Sequence, residues 1–187
     1  MKIGTIKKNL CWNLAILPVL LVGINTVIHA QEHNPPTVSR AVARIFPTEN
    51  SQCSGVVTFE EENGKVRIRA TITGLTPNEK HGFHIHEFGD ISKSDGTSAG
   101  GHYNPEGHQH ALPQEMSRHA GDLGNLIADS QGKAVYENTV GNITIAGMKN
   151  PIIGRAIIIH AKEDDGGQPS GNAGARIGMG VIGIAKE

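Results

Sequence analysis

Asn63-Gly64-Lys65-Val66-Arg67-Ile68-Arg69-Ala70-Thr71-Ile72-Thr73 is the stretch whose reading decides the fold. Val66, Ile68, Ala70 and Ile72 alternate with Arg67, Arg69, Thr71 and Thr73. A strand with one buried and one wet face has this period of two. Asn-Gly readily adopts the left-handed backbone of a tight hairpin, so Asn63-Gly64 joins this strand to one at Val56–Phe59. Working outward, the same reading predicts strands at Ser39–Phe46, Gly82–Glu87, Asn125–Ala128, Ala134–Asn138, Ile152–His160 and Gly178–Ile184. No segment carries a ten-residue helical stripe, and the 24 glycines concentrate at the breaks. Short strands with glycine-rich turns predict an all-β chain, an antiparallel sandwich or barrel. Phe88 to Leu123 and Ala161 to Ala175 lack any pattern, and loops of that length are functional or disordered.

The 187 residues suffice for one domain after processing. Lys2, Lys7 and Lys8 precede an apolar run from Leu14 to Ile24, the pattern of an export signal cleaved near Ala30. The run is short for a membrane span, so a retained anchor is the weaker alternative. This predicts a signal peptide at 1–30, a flexible lead-in at 31–37 and a domain at 38–187, periplasmic or extracellular and free of the membrane. Cleavage leaves 14 basic against 18 acidic side chains, which argues against a nucleic-acid partner. It also leaves Cys53 as the one cysteine, unable to form a disulfide within the chain. Cys53 is then a buried small hydrophobe or a thiol that pairs between chains.

The histidines carry the chemistry. Six of the ten fall between His81 and His110. His84 and His86, two apart on a strand, face the same side and can reach one ion, although alone they are equally a surface pair. His102, His108 and His110 follow, then His119-Ala120-Gly121-Asp122, in which an imidazole and a carboxylate can chelate across a glycine turn. His160 ends the apolar run Ile157-Ile158-Ile159. Imidazoles suit copper and zinc, and imidazoles with a carboxylate suit zinc. With no thiolate in the region, an iron–sulfur cluster or cysteine-type zinc site is excluded.

Gly82-Phe83-His84-Ile85-His86-Glu87-Phe88-Gly89-Asp90 and Gly171-Asn172-Ala173-Gly174-Ala175-Arg176 resemble the two signature motifs of the copper–zinc superoxide dismutases. Thr97–Pro105, Arg118–Asn125 and Gly180–Ala185 resemble further segments of that family, and the likeness runs in order from about Val38 to Ala185. The resemblance implies an eight-stranded Greek-key barrel of immunoglobulin-like type with two long functional loops, an architecture of which the family is a standard example. It implies dismutation of superoxide to oxygen and hydrogen peroxide, and a homodimer. It assigns copper to His84, His86, His102 and His160, and zinc to His102, His110, His119 and Asp122, with His102 shared. His108 competes with His110 for zinc, and the register favours His110. Asp164 matches the carboxylate linking a copper histidine to a zinc histidine, Arg176 the arginine beside the copper, and His81 a structural histidine. Arg176 and His102 are the expected catalytic residues. The alternative is a non-enzymatic copper- or zinc-binding or copper-delivery module on the same barrel. Retention of His160 and Arg176, and the lack of a Cys-x-x-Cys motif, argue against it.

The chain departs from the family pattern twice. Gly96 and Met179 stand where relatives carry a disulfide. The loop between His160 and Arg176 is shorter than in long-loop members, leaving Lys162 as a candidate steering charge.

Overall fold

The computed structural model describes residues 38–186. The expected signal peptide and lead-in lie outside the described residues. Nine strands follow in order: β1 (Arg40–Pro47), β2 (Ser54–Glu62), β3 (Lys65–Thr73), β4 (Lys80–His86), β5 (Asp122–Ile127), β6 (Ala134–Val140), β7 (Ala156–His160), β8 (Arg176–Val181) and a two-residue β9 (Gly183–Ile184). The only helical element among the described residues is a single 3₁₀ turn at Thr97–Ala99. Pairing runs β5-β4-β7-β8-β1-β2-β3-β6, with β9 added to β1. The named strand pairs are antiparallel. Links from β3 to β4 and from β6 to β7 cross the sheet as Greek-key connections. The two end strands meet where the Tyr136 hydroxyl donates to the Leu123 carbonyl at 3.0 Å, nearly closing the barrel. The all-β, eight-stranded expectation holds, with β9 as an appendage.

The β2–β3 hairpin forms at Asn63-Gly64, where φ is 51° and 73°, the left-handed pair that such a turn needs. Val66, Ile68, Ala70 and Ile72 are all buried. They join Phe59, Phe83, Ile85, Ile157 and Ile159 in one core, with Phe83 edge-on to Tyr136 at 5.2 Å. Cys53 is fully buried in this core, so it is the small hydrophobe and not a surface thiol. Burial pushes its thiol up to about 12.

Several strand boundaries differ from expectation. Ile152–Arg155 turns instead of extending β7, because Gly154 sits at φ 80° and its N–H donates to the Ile182 carbonyl. That contact also interrupts the last strand at Ile182, splitting β8 from β9. β2 runs on through Glu60, Glu61 and Glu62, since Arg67 opposite bonds Glu60 and Glu62 across the ribbon.

Candidate metal centre

Phe83 and Ile85 point from β4 into the core, so His84 and His86 must face outward. Both are nevertheless buried, because the two long loops lie over this side of the barrel. His160 ends β7 and pairs across a bulge with Arg176 at the start of β8. His102 pairs with His86 through an isolated bridge. The His119–Asp122 turn packs on β4: Gly121 accepts from the Ile85 N–H at 2.9 Å. A Cβ on Gly121 would come within 2.2 Å of the Ile85 carbonyl, so only glycine permits this approach.

Two ligand groups result. His84, His86, His102 and His160 form one, and His102, His110, His119 and Asp122 the other; within each group the donor atoms lie within 4.8 Å of one another. The His102 ring belongs to both, tilted over His84 at 4.0 Å and edge-on to His110 at 5.3 Å between ring centres. All seven sequence-predicted ligands therefore converge. His108 does not: its ring is partly exposed, and Nδ1 donates to the Arg118 carbonyl at 3.0 Å. His81 also stays outside, donating from Nδ1 to the His160 carbonyl at 2.9 Å.

Hydrogen bonds fix which ring nitrogen is bare. His84 Nε2 donates to Asp164 Oδ2 at 2.9 Å, His86 Nδ1 to the Gly100 carbonyl at 3.0 Å, and His160 Nδ1 to the Gly174 carbonyl at 3.3 Å. His102 Nδ1 contacts Asp122 Oδ1 at 2.9 Å. Each ring then carries its lone pair on the other nitrogen. Those atoms, His84 Nδ1 and the Nε2 of His86, His102 and His160, are buried with no hydrogen-bond partner. In the second group His110 Nδ1 and His119 Nδ1 lie 3.0 and 3.2 Å from the Asp122 carboxylate but out of line for a hydrogen bond. Buried, unpartnered lone pairs converging from several segments fit cations, since burial without a partner is otherwise costly. The all-imidazole group suits copper and the imidazole–carboxylate group suits zinc.

The electrostatics follow the same division. Burial pushes His84 down to about 4, although Asp164 pulls it the other way. Burial pushes His160 down to about 3 and His86 well below its ordinary value. These imidazoles are neutral at pH 7 and their lone pairs are available. Burial also works to lower His110, but Asp122 and Asp164 flank both its ring nitrogens and raise it to about 9. Burial alone would raise Asp122 and Asp164; the bond from His102 and the close His110 ring hold Asp122, and bonds from His110 and His84 hold Asp164, well below the carboxylate range. Asp164 is thus the link between the groups, accepting from His84 and His110 at 2.9 Å each. Asn125 locks it in place: its Oδ1 accepts the Asp164 N–H at 2.8 Å and its Nδ2 donates to the Asp164 carbonyl at 2.9 Å. In the sequence Asn125 stands in a strand and ends the family-like segment Arg118–Asn125, and nothing there names Asp164 as its partner.

Arg176 is half-buried, and its guanidinium donates to the Gly96 and Gly100 carbonyls at 2.5 and 2.6 Å. The Gly100 carbonyl also accepts from His86, so one main-chain oxygen ties the arginine to a metal-side ring. Burial lowers Arg176 from its usual value, yet a guanidinium stays charged at any ordinary pH.

Comparison with known proteins agrees with this chemistry. The family model described as copper/zinc superoxide dismutase matches residues 53–182. A protein of Paramecium bursaria Chlorella virus 1 named superoxide dismutase [Cu-Zn] is 45% identical over 93% of this chain and 98% of its own length. A Schizosaccharomyces pombe protein of the same name is 48% identical over 73% of this chain and 93% of its own. Among solved structures, that of the clock protein EA4 superposes with a TM-score of 0.74 at 40% identity, covering 82% of this chain and 99% of its own.

Proposed function

The chain belongs to the copper/zinc superoxide dismutase family and dismutes superoxide to oxygen and hydrogen peroxide, and we propose that it does so where Arg176 meets the shared His102. The observation that carries this assignment is the ring of His102, whose two nitrogens point into two different ligand groups.

His84, His86, His102 and His160 would hold copper, and His102, His110, His119 and Asp122 would hold zinc. Copper supplies one-electron exchange with superoxide, and zinc supplies fixed positive charge without redox change. The protein's own residues do the rest. Arg176, clamped by two carbonyls, presents a fixed cation to a small anion. Field focusing of this kind raises on-rates by roughly 10- to 10³-fold, a range for which this family is itself a standard example. His102 Nε2 is placed to take up a proton and return it, because its other nitrogen is held at Asp122. Asp164 keeps His84 and His110 in the tautomers that aim Nδ1 inward. Arg176→Ala should cut kcat/KM about tenfold or more and flatten its decline with ionic strength, with the copper electron-spin signal retained. A variant as fast as its parent would remove Arg176 from the reaction.

The chain is further read as an exported homodimer. Phe88, Val181 and Ile184 are exposed at 58%, 37% and 65%. Phe88 and Val181 lie close together, since a Cβ on Gly89 would lie 3.1 Å from Val181, and Ile184 follows three residues on in β9. A wet apolar patch of this kind favours self-association. Val181→Glu should shift the sedimenting species toward monomer, and an unchanged sedimentation coefficient would count against dimerisation there. Export rests on the lysines and apolar run before Ala30. A mature N-terminus near Gln31 on protein recovered outside the cytoplasm would support it, and an intact Met1 would sink it.

A further inference from the structure

His110 reaches the metal centre from a loop, so no sheet neighbour fixes its backbone. One side chain does that work from 58 residues away. Gln168 Nε2 donates to the His110 carbonyl at 2.6 Å, and Gln168 Oε1 accepts the His110 N–H at 3.2 Å. Both main-chain groups of one residue thus close on a single amide, as they would on an adjacent strand.

The segment that carries Gln168 is itself tightly closed. The Asp165 N–H donates to the Gly171 carbonyl at 3.0 Å, and the Gly171 N–H to the Gly167 carbonyl at 2.6 Å. The Asp165 carboxylate accepts from the Gly167 N–H at 2.8 Å and from Asn172 Nδ2 at 3.1 and 3.2 Å. Gly171 lies flat on the contact between His110 and Asp164. A Cβ there would meet Asp164 Oδ1 at 2.0 Å and His110 Nε2 at 2.8 Å, so no side chain fits between loop and ligand. The shortened loop is therefore a small cap seated directly on the zinc-side imidazole.

We propose that Gln168 is a positioning residue for that imidazole: it anchors the His110 backbone so that the ring stays between Asp122 and Asp164 with Nδ1 turned into the ligand group. The inference rests on the reading that His102, His110, His119 and Asp122 hold zinc. Gln168 contacts no ligand atom and acts only through the main chain of residue 110. Its consequence is kinetic. An imidazole leaves a metal by swinging away, and an anchored backbone makes that swing harder. Loss of a partner that orients a ligand typically loosens a metal ~10- to 100-fold, and an indirect anchor belongs at the lower end.

The experiment follows zinc release from copper- and zinc-loaded protein into a chromogenic chelator, with the copper electron-spin spectrum as an internal reference. Gln168→Ala should release zinc about tenfold faster and alter the visible bands of cobalt(II) placed in the zinc position, while the copper spectrum keeps its parent form. Gln168→Glu keeps the side chain's size but sets a carboxylate oxygen against the His110 carbonyl. It should also release zinc faster, whereas a space-filling role would leave it like the parent. If Gln168→Ala does not fold, Gln168→Glu decides. Release within twofold of the parent in the folded variants overturns the proposal. Failure of the parent itself to bind cobalt(II) tetrahedrally would overturn the underlying zinc assignment, and is told apart because it appears before any substitution.

Discussion

The two halves of this barrel wall solve opposite problems with the same strand geometry. On β2, β3 and β6 the outward side chains meet water, and they form a charged ladder of Glu60, Arg67, Arg69 and Glu137. On β4 and β7 the outward side chains include His84, His86 and His160, with Ile158 beside them, and water is excluded by loops that arrive from far along the chain. The first half packs its inward side chains into the core that both halves share, and its outward face is satisfied by water and ion pairs. The second carries a set of buried lone pairs that only cations or protons satisfy. The difference teaches that stability here is unevenly distributed and that the loop-covered half depends on its metals.

The strongest way to break this comparison is to remove the metals. Metal bound to a closed site of this type contributes on the order of 10 kcal/mol of folding free energy. At about 2–4 °C per kcal/mol for a domain of this size, the metal-free protein should melt some 20 °C or more below the loaded one by calorimetry. Hydrogen exchange should rise first in the two long loops and along β4 and β7, while β2 and β3 keep their protection. Melting temperatures that differ by only a few degrees, or uniform exchange, would show that the loop-covered half stands alone.

A covalent tie tests the same half from another side. A Cβ built on Gly96 lies 3.6 Å from the Met179 sulfur, so the two positions expected from the sequence to replace a disulfide do adjoin. What joins the loop to β8 instead is Arg176 bonding the Gly96 and Gly100 carbonyls, with Met179 packed beside Ala99, Ala156 and Ile158. Gly96→Cys with Met179→Cys would close a loop whose entropy is worth about 4–5 kcal/mol in the chain-entropy model. Gly96 sits at φ 74°, a conformation that costs a side chain roughly 1–2 kcal/mol. The oxidised double variant should therefore melt about 5–10 °C higher. The gain should appear in loaded and metal-free protein alike, because the tie acts on the unfolded chain. A gain confined to the metal-free form would mean that the metals already do the same work. The parent, whose one cysteine among the described residues is buried, should melt at the same temperature with or without reductant.

How much of this was legible in the sequence differs between the two halves for the same reason. The alternation in β3 and the Asn63-Gly64 turn are local, and both form as read. The seven ligands were legible through motifs that keep their order, and their convergence follows. His108 against His110 was ambiguous from spacing, and it was resolved by which ring the Arg118 carbonyl claims. The pairing of Gln168 with the His110 main chain, and that of Asn125 with Asp164, carried no signal, although Asn125 itself stands in a family-like segment. Each is a side chain meeting a backbone group dozens of residues away, and no period or motif encodes such a pairing. The start of β7 was misread because an apolar run at Ile152-Ile153 looks like strand until Gly154 turns it.

The smallest expected effect gives the sharpest contrast between the halves. Glu137 Oε1 lies 3.2 Å from Arg69 Nε, and Asp164 Oδ2 lies 2.9 Å from His84 Nε2. The separations are alike, but the side chains of the first pair are 57% and 49% exposed and those of the second are fully buried. In water the first pair is screened and each partner is rehydrated when the other leaves. In the buried pair no water replaces the lost contact, and the freed imidazole can change tautomer and turn its lone pair away from the metal. Asp164→Asn should thus loosen bound metal about 10- to 100-fold by chelator competition. Glu137→Gln, the same chemical change at nearly the same distance, should leave metal retention and turnover unaltered and move the melting temperature by less than about 2 °C. A surface variant that disturbed metal retention would mean that strain passes through the core from one face of the barrel to the other.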